Sequence, residues 1–174
     1  MRTANRTAAL ILLVAIQAFP TRGLAEPLEV AIFEPTFTDY KLSDRLKKEV
    51  LQHYHKGLLA PGTIKPLDRR RRARDLMEHR VFPKRDSTLE EARQTCTTVG
   101  WERFLVSSLA GTKKRRVEIV VTYVDLSKGD QGIIEGKRQV RNHLKAIRDG
   151  LRRLATEVAK KVGAPPPLTG KKAP

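Results

Sequence analysis

The alternation of apolar and polar positions divides the chain into short β-like runs and longer helical stripes. Residues 28–33, Leu-Glu-Val-Ala-Ile-Phe, are apolar and β-branched and give way to a polar, proline-containing stretch over 34–40. This predicts a first, buried strand followed by a loop. Leu42, Leu46, Val50 and Tyr54 then recur every four residues, with Ser43 and Asp44 as a helix start and Gly57 as its end. After Pro61-Gly62, residues 63–67 read as a second strand at an edge, because Pro66 has no N–H to give to a ladder. Asp68 can cap a short helix reaching about His79, with Ala73, Leu76 and Met77 as a weak apolar stripe. Ser87 and Glu90 have the spacing of a capping box, in which hydroxyl and carboxylate each take up a free backbone N–H. The helix that it opens ends near Gly100, a residue suited to a left-handed turn.

Beyond Gly100 the period changes from helical to strand-like. Residues 104–110, 116–125 and 133–140 are consecutive strand runs joined by turn residues at 111–114 and 127–130, which predicts an antiparallel meander. The middle run carries Val117, Ile119, Val121 and Tyr123 on one face and Val120 and Val124 on the other, so it belongs inside a sheet. The third run, with Glu135, Lys137, Arg138 and Gln139, reads as an exposed edge. Leu144, Ile147, Leu151, Leu154, Val158 and Val162 define a final amphipathic helix, in which Gly150 costs about 1 kcal/mol against alanine. The order β-α-β-α-α-β-β-β-α predicts a single two-layer α/β (α+β) domain with a mixed sheet of about five strands, the first two parallel through a crossover.

The amino terminus follows a different logic. Arg2 and Arg6, an apolar run over 8–19 and small residues at Gly23 and Ala25 are the three parts of a secretory signal peptide. As a helix the run spans only about 18 Å, short of the roughly 30 Å hydrocarbon core, so cleavage between Ala25 and Glu26 is expected, leaving no membrane span. No cysteine lies there to accept a lipid. The chain is thus expected to comprise a signal peptide over 1–25, a domain over 26–162 and a proline-rich, disordered basic tail over 163–174, with a periplasmic location.

Charge narrows the partners. Lys and Arg number 35 against 19 Asp and Glu, a net charge of +16 that loss of the leader lowers by three. Arg69, Arg70, Arg71, Arg72 and Arg74 form one dense cluster, Lys113, Lys114, Arg115 and Arg116 another at a hairpin tip, and Arg148, Arg152, Arg153, Lys160 and Lys161 a broader set on the last helix. Guanidinium forks suit phosphate, so these clusters fit either anionic lipid or lipopolysaccharide, or simply solvated faces and turn tips. Nucleic acid fits poorly, because no aromatics interleave with the basic residues and export removes the usual target. Cys96 is the one cysteine, so no internal disulfide forms; it shares a helical face with Leu89, Ala92 and Val99 and is expected to be buried.

Several segments resemble a known family. Val30-Ala31-Ile32-Phe33-Glu34-Pro35, Cys96-Thr97-Thr98-Val99-Gly100 leading into Phe104-Leu105-Val106-Ser107-Ser108-Leu109-Ala110-Gly111, and Val121-Thr122-Tyr123-Val124-Asp125-Leu126-Ser127-Lys128-Gly129 are similar to the amino-terminal domain of the translocation protein TolB and its relatives. The resemblance implies a mixed five-stranded sheet with flanking helices that serves the bacterial envelope as a docking or accessory module and not as an enzyme. Two departures stand out. Related domains often follow the helix-ending glycine with alanine and an acidic residue, whereas Gly100 is followed by Trp101-Glu102-Arg103. TolB also has an amino-terminal extension and a β-propeller, which this chain is not expected to carry.

The sequence holds no H-E-x-x-H, no G-x-S-x-G and no G-x-x-x-x-G-K-[ST] pattern. His53 and His55, two apart on a helix, point to different sides, where metal-binding helices use a spacing of four. His79 and His143 have no acidic or thiol companions at a telling distance, and Asp39, Asp44, Asp125 and Asp130 sit at caps and turns. Trp101, at a helix-to-strand junction, is expected in a core with its N–H bonded. The sequence therefore predicts an exported, noncatalytic accessory or docking protein without cofactor or metal that binds another envelope protein, or alternatively a binder of anionic surfaces.

Overall fold

The computed structural model describes residues 26–39, 42–84, 86–112 and 115–163. The expected signal peptide, Lys113, Lys114 and all of the expected tail except Gly163 lie outside them. Strand β1 (Leu28–Ile32) has parallel neighbours on both sides, as its apolar sequence requires. One is β3 (Ile64–Pro66), the edge strand. The other is β4 (Arg103–Thr112), which forms a continuous antiparallel meander with β5 (Arg116–Asp125) and β6 (Ile133–Arg141). The path across the sheet is β3-β1-β4-β5-β6.

A sixth strand falls where a loop was expected. β2 (Thr36–Thr38) runs parallel to β4 at Ser108, Leu109 and Ala110 and prolongs the line of β1 beyond buried Pro35. Three residues with one apolar side chain give too little alternation to announce a strand, and here the ladder along β4 supplies what local pattern lacks. The connection from β5 to β6 is a 3-10 turn (Leu126–Gly132) rather than a tight hairpin loop.

Helices α1 (Asp44–Leu59) and α4 (Leu144–Val162) lie together on one face of the sheet. Their buried Val50, Tyr54, Leu58, Ile147, Leu151, Leu154 and Val158 meet Leu105, Leu109, Val117, Ile119, Val121 and Tyr123 in the main core. Gly57 does not end α1: a Cβ there would run into the Arg152 carbonyl oxygen and lie 3.0 Å from the Ala155 Cβ, so the glycine sits where α1 and α4 approach most closely. Gly150 has the same role toward the sheet, since a Cβ would lie 2.6 Å from Val140 Cγ1 and 3.3 Å from Ile119 Cδ1. The propensity it forfeits is offset by closer seating of α4 on β5 and β6.

On the opposite face α3 (Leu89–Val99) covers β1 and the first half of β4, packing Ala92, Cys96 and Val99 against Ala31, Phe33, Phe104 and Val106. Cys96 is buried, as expected, and burial pushes its thiol up to about 12, so it stays protonated. Leu89 departs from the expected buried stripe and is 38% exposed at the first helical position. The capping box is also one residue later than expected: Thr88 and Glu91 form it, while Ser87 donates its hydroxyl to the Lys84 carbonyl at 2.8 Å. Both pairs satisfy the sequence spacing; the tie of Ser87 to Lys84 selects between them. Trp101 is buried as expected, with its indole N–H donating to Asp75 at 2.9 Å.

Candidate functional site

The first arginine cluster lies on α2 (Arg69–Glu78), a surface helix with no fully buried residue. Asp68 starts it as expected, its carboxylate accepting from the backbone N–H groups of Arg70 and Arg71. Successive helical residues point about 100° apart, so a run of arginines spreads around the axis. Arg71 reaches back to Glu29 of β1 at 2.9 Å, and Arg74 pairs with Asp75 at 3.5 Å and Glu78 at 3.9 Å. Arg72 turns inward, donating from Nη1 to the Ile32 carbonyl at 3.0 Å with its guanidinium 5.5 Å from the centre of the Phe33 ring. Arg69 and Arg70 are exposed and make no ion pair among the described residues. In the second cluster only Arg115 and Arg116 are described; both are exposed, Arg115 in the β4–β5 turn and Arg116 at the start of β5, away from α2 in the chain. On α4, Arg148 pairs with Glu49 of α1, while Arg152, Arg153 and Lys160 line a shallow groove together with Asp149 and Glu157.

Several polar groups elsewhere have local work. Asp125 is buried; burial alone would raise its pKa, but hydrogen bonds from Ser127 and Arg103 outweigh this and hold it below the usual carboxylate range. His143 caps α4, its Nδ1 accepting from the Ala146 N–H. His79 Nδ1 lies 2.9 Å from the Asp75 carbonyl oxygen. Among the described residues no group of three or more His, Cys, Asp or Glu stands close enough to hold a metal ion. Among them, too, no helix is long and apolar enough to cross a membrane.

One surface lacks such a local explanation. At the end of α2, Arg80 takes a left-handed conformation (φ 53°), and the chain turns back along the helix. The Arg80 N–H donates to the Met77 carbonyl and the Val81 N–H to the Leu76 carbonyl, the paired bonds of a Schellman motif, in which the hydrophobic partners are Leu76 and Val81. This lays Val81, Phe82 and Pro83 beside the last turn of α2. Leu76 and Val81 are half-buried against the α3 core, but Met77 is 71% and Phe82 82% exposed. Together they border a shallow concavity of about 370 Å³ lined also by Glu34, Arg72 and Lys84. The platform beneath is fixed at several points: the Asp68 cap, the Arg71–Glu29 pair, the Arg72 bond to β1 and the Trp101 bond to Asp75. Sequence reading missed this surface because Met77 was assigned to an inward stripe and Phe82 stands in a loop with no period. The sole signal was a phenylalanine and a proline side by side between two helices.

The cup combines apolar walls from Leu76, Met77, Val81, Phe82 and Pro83 with the charged groups of Glu34, Arg72 and Lys84, an arrangement suited to binding.

No family model matches the sequence, and no curated protein sequence matches it. Solved structures do resemble the fold. The C-terminal domain of LpoB from Salmonella enterica superposes with a TM-score of 0.47 at 15% identity, covering 69% of this chain and 87% of that one. The corresponding domain from Escherichia coli gives 0.47 at 17% identity over 64% and 81%. The PelC dodecamer from Paraburkholderia phytofirmans gives 0.44 at 13% identity over 82% and 92%. At these scores the likeness is one of chain arrangement alone.

Proposed function

We propose that this chain is an exported, noncatalytic accessory protein of the bacterial cell envelope that docks onto another envelope protein through the surface formed by Leu76, Met77, Val81, Phe82 and Pro83. The observation that carries the reading is the pairing of Met77 and Phe82, two large apolar side chains exposed side by side on a rigid support. Covering both removes on the order of 250 Å² of apolar surface from water, about 6 kcal/mol before the costs of association. Phe and Met are enriched in protein–protein interfaces relative to the rest of the surface, and exposed apolar patches mark interaction sites. The signal-like residues 1–25 support export to the periplasm, and the TolB-like strand segments support an envelope role.

Affinity recovery from envelope extracts at low and moderate salt tests the proposal. The wild-type chain is expected to retain a partner at both salt concentrations, and Met77→Ser/Phe82→Ser to lose it while melting within a few degrees of wild type, since neither side chain is buried. Equal recovery by both proteins contradicts it.

Arg69 and Arg70, exposed without ion pairs among the described residues, favour a second reading as a binder of anionic surfaces. Retention on lipopolysaccharide or anionic vesicles that falls with salt and with Arg69→Glu/Arg70→Glu is its signature.

A further inference from the structure

Arg72 stands apart from the other arginines of α2. It is half-buried in the lining of the concavity bordered by Met77 and Phe82, and among the described residues only its Nη1 has a hydrogen-bond partner, the Ile32 carbonyl. It forms no ion pair among the described residues. Phe33 takes up one face of the guanidinium, and the Cys96 thiol behind it is neutral. Glu34 shares the concavity but is exposed and beyond ion-pair distance. A guanidinium has five N–H donors in a flat fork, so most of its capacity is left without a direct ion pair beside apolar walls, Glu34 acting on it only through the field. A carboxylate can meet such a fork with two parallel charge-assisted hydrogen bonds, the contact a guanidinium is shaped for.

Resting on the docking reading above, we infer that the partner enters this concavity as a protein segment in which an Asp or Glu lies within a residue or two of large apolar side chains. The carboxylate meets Arg72, and the apolar groups pack on Leu76, Met77, Val81 and Phe82. Lys84, in the lining and also paired with Glu91 at 3.4 Å, adds the same charge preference. A protein segment fits better than a lipid surface. A headgroup plane would meet the outward Arg69 and Arg70 first, whereas Arg72 is recessed beside half-buried Leu76 and Val81. An anion carried on a narrow, partly apolar element matches that placement.

Panning a random library of displayed peptides, about twelve residues long, on the full chain tests the inference. The expected peptides combine large apolar residues with a neighbouring Asp or Glu, and bind as free synthetic peptides in fluorescence polarisation. Changing that residue to Asn or Gln weakens binding about tenfold, Arg72→Gln in the protein does the same, and the two losses do not add. The change on the peptide side is independent of whether Arg72→Gln folds fully. Peptides that need Met77 and Phe82 but tolerate the neutral replacement overturn the carboxylate–Arg72 contact and leave the docking surface standing. Peptides indifferent to Met77→Ser/Phe82→Ser, or no selected peptide at all, overturn both. Binding to phosphatidylglycerol vesicles that requires Met77 and Phe82, where no peptide is selected, assigns the surface to a membrane and overturns the inference.

Discussion

Replacing Gly150 with alanine sets helix propensity against packing at one atom. In an exposed helix the change stabilises by about 1 kcal/mol. Here the added methyl would stand 2.6 Å from Val140 Cγ1 and 3.3 Å from Ile119 Cδ1, where ordinary contacts need nearly 4 Å. Val140 is β-branched and cannot swing its methyl away cheaply, so α4 or β6 must shift by up to about 1 Å. Overpacking of this size costs about 1–3 kcal/mol, and after the propensity gain Gly150→Ala should destabilise by about 1 kcal/mol. Truncating Val140 to alanine removes the opposing methyl. In that background Gly150→Ala should become neutral or stabilising, a coupling of about 1–2 kcal/mol. Urea unfolding of the four proteins of this cycle, followed by the fluorescence of the single tryptophan Trp101, measures it. An increase in stability from Gly150→Ala in the wild-type background, or the same effect in both backgrounds, refutes the account of how α4 seats on the sheet.

Two further outcomes follow from individual residues. Arg80 holds a left-handed conformation at φ 53°, so Arg80→Gly should raise stability by about 1 kcal/mol, read as a higher urea midpoint; an unchanged or lower midpoint contradicts the turn geometry that presents Phe82. Asp125 has a carboxyl pKa depressed in the folded state, so its contribution is fully present above the unfolded value near 3.9 and is lost as pH falls through the lower folded value. The stability gap between wild type and Asp125→Asn should therefore narrow from pH 5 toward pH 2, and a gap that widens on acidification contradicts the assignment.

The sequence disclosed those elements whose burial repeats with their own geometric period. α4 was legible because its inward positions are nearly all aliphatic at spacings of three and four, and β5 because both its faces are apolar. β2 was hidden because its stability comes from a ladder with a strand some seventy positions later, which no local window contains. Gly57 looked like a helix end because propensity knows nothing of Arg152 on a neighbouring helix. The candidate site was the least legible part. Four consecutive arginines suggested one anionic-ligand patch, yet helical geometry sends Arg71 to Glu29, Arg72 toward Phe33 and leaves Arg69 and Arg70 in solvent. The exposed pair Met77 and Phe82 comes together only because the chain reverses at Arg80, a left-handed conformation that an arginine codon does not announce.

The docking claim is tested most directly in intact cells, by placing a photoactivatable amino acid at position 82 and, as a control on another face, at Lys160 of α4. Irradiation should yield a discrete, reproducible crosslinked protein adduct from position 82 that is absent from position 160 and lost when Met77 and Arg72 are also replaced. Recovery of the uncrosslinked chain alone from position 82, or the same adducts from both positions, would contradict the account.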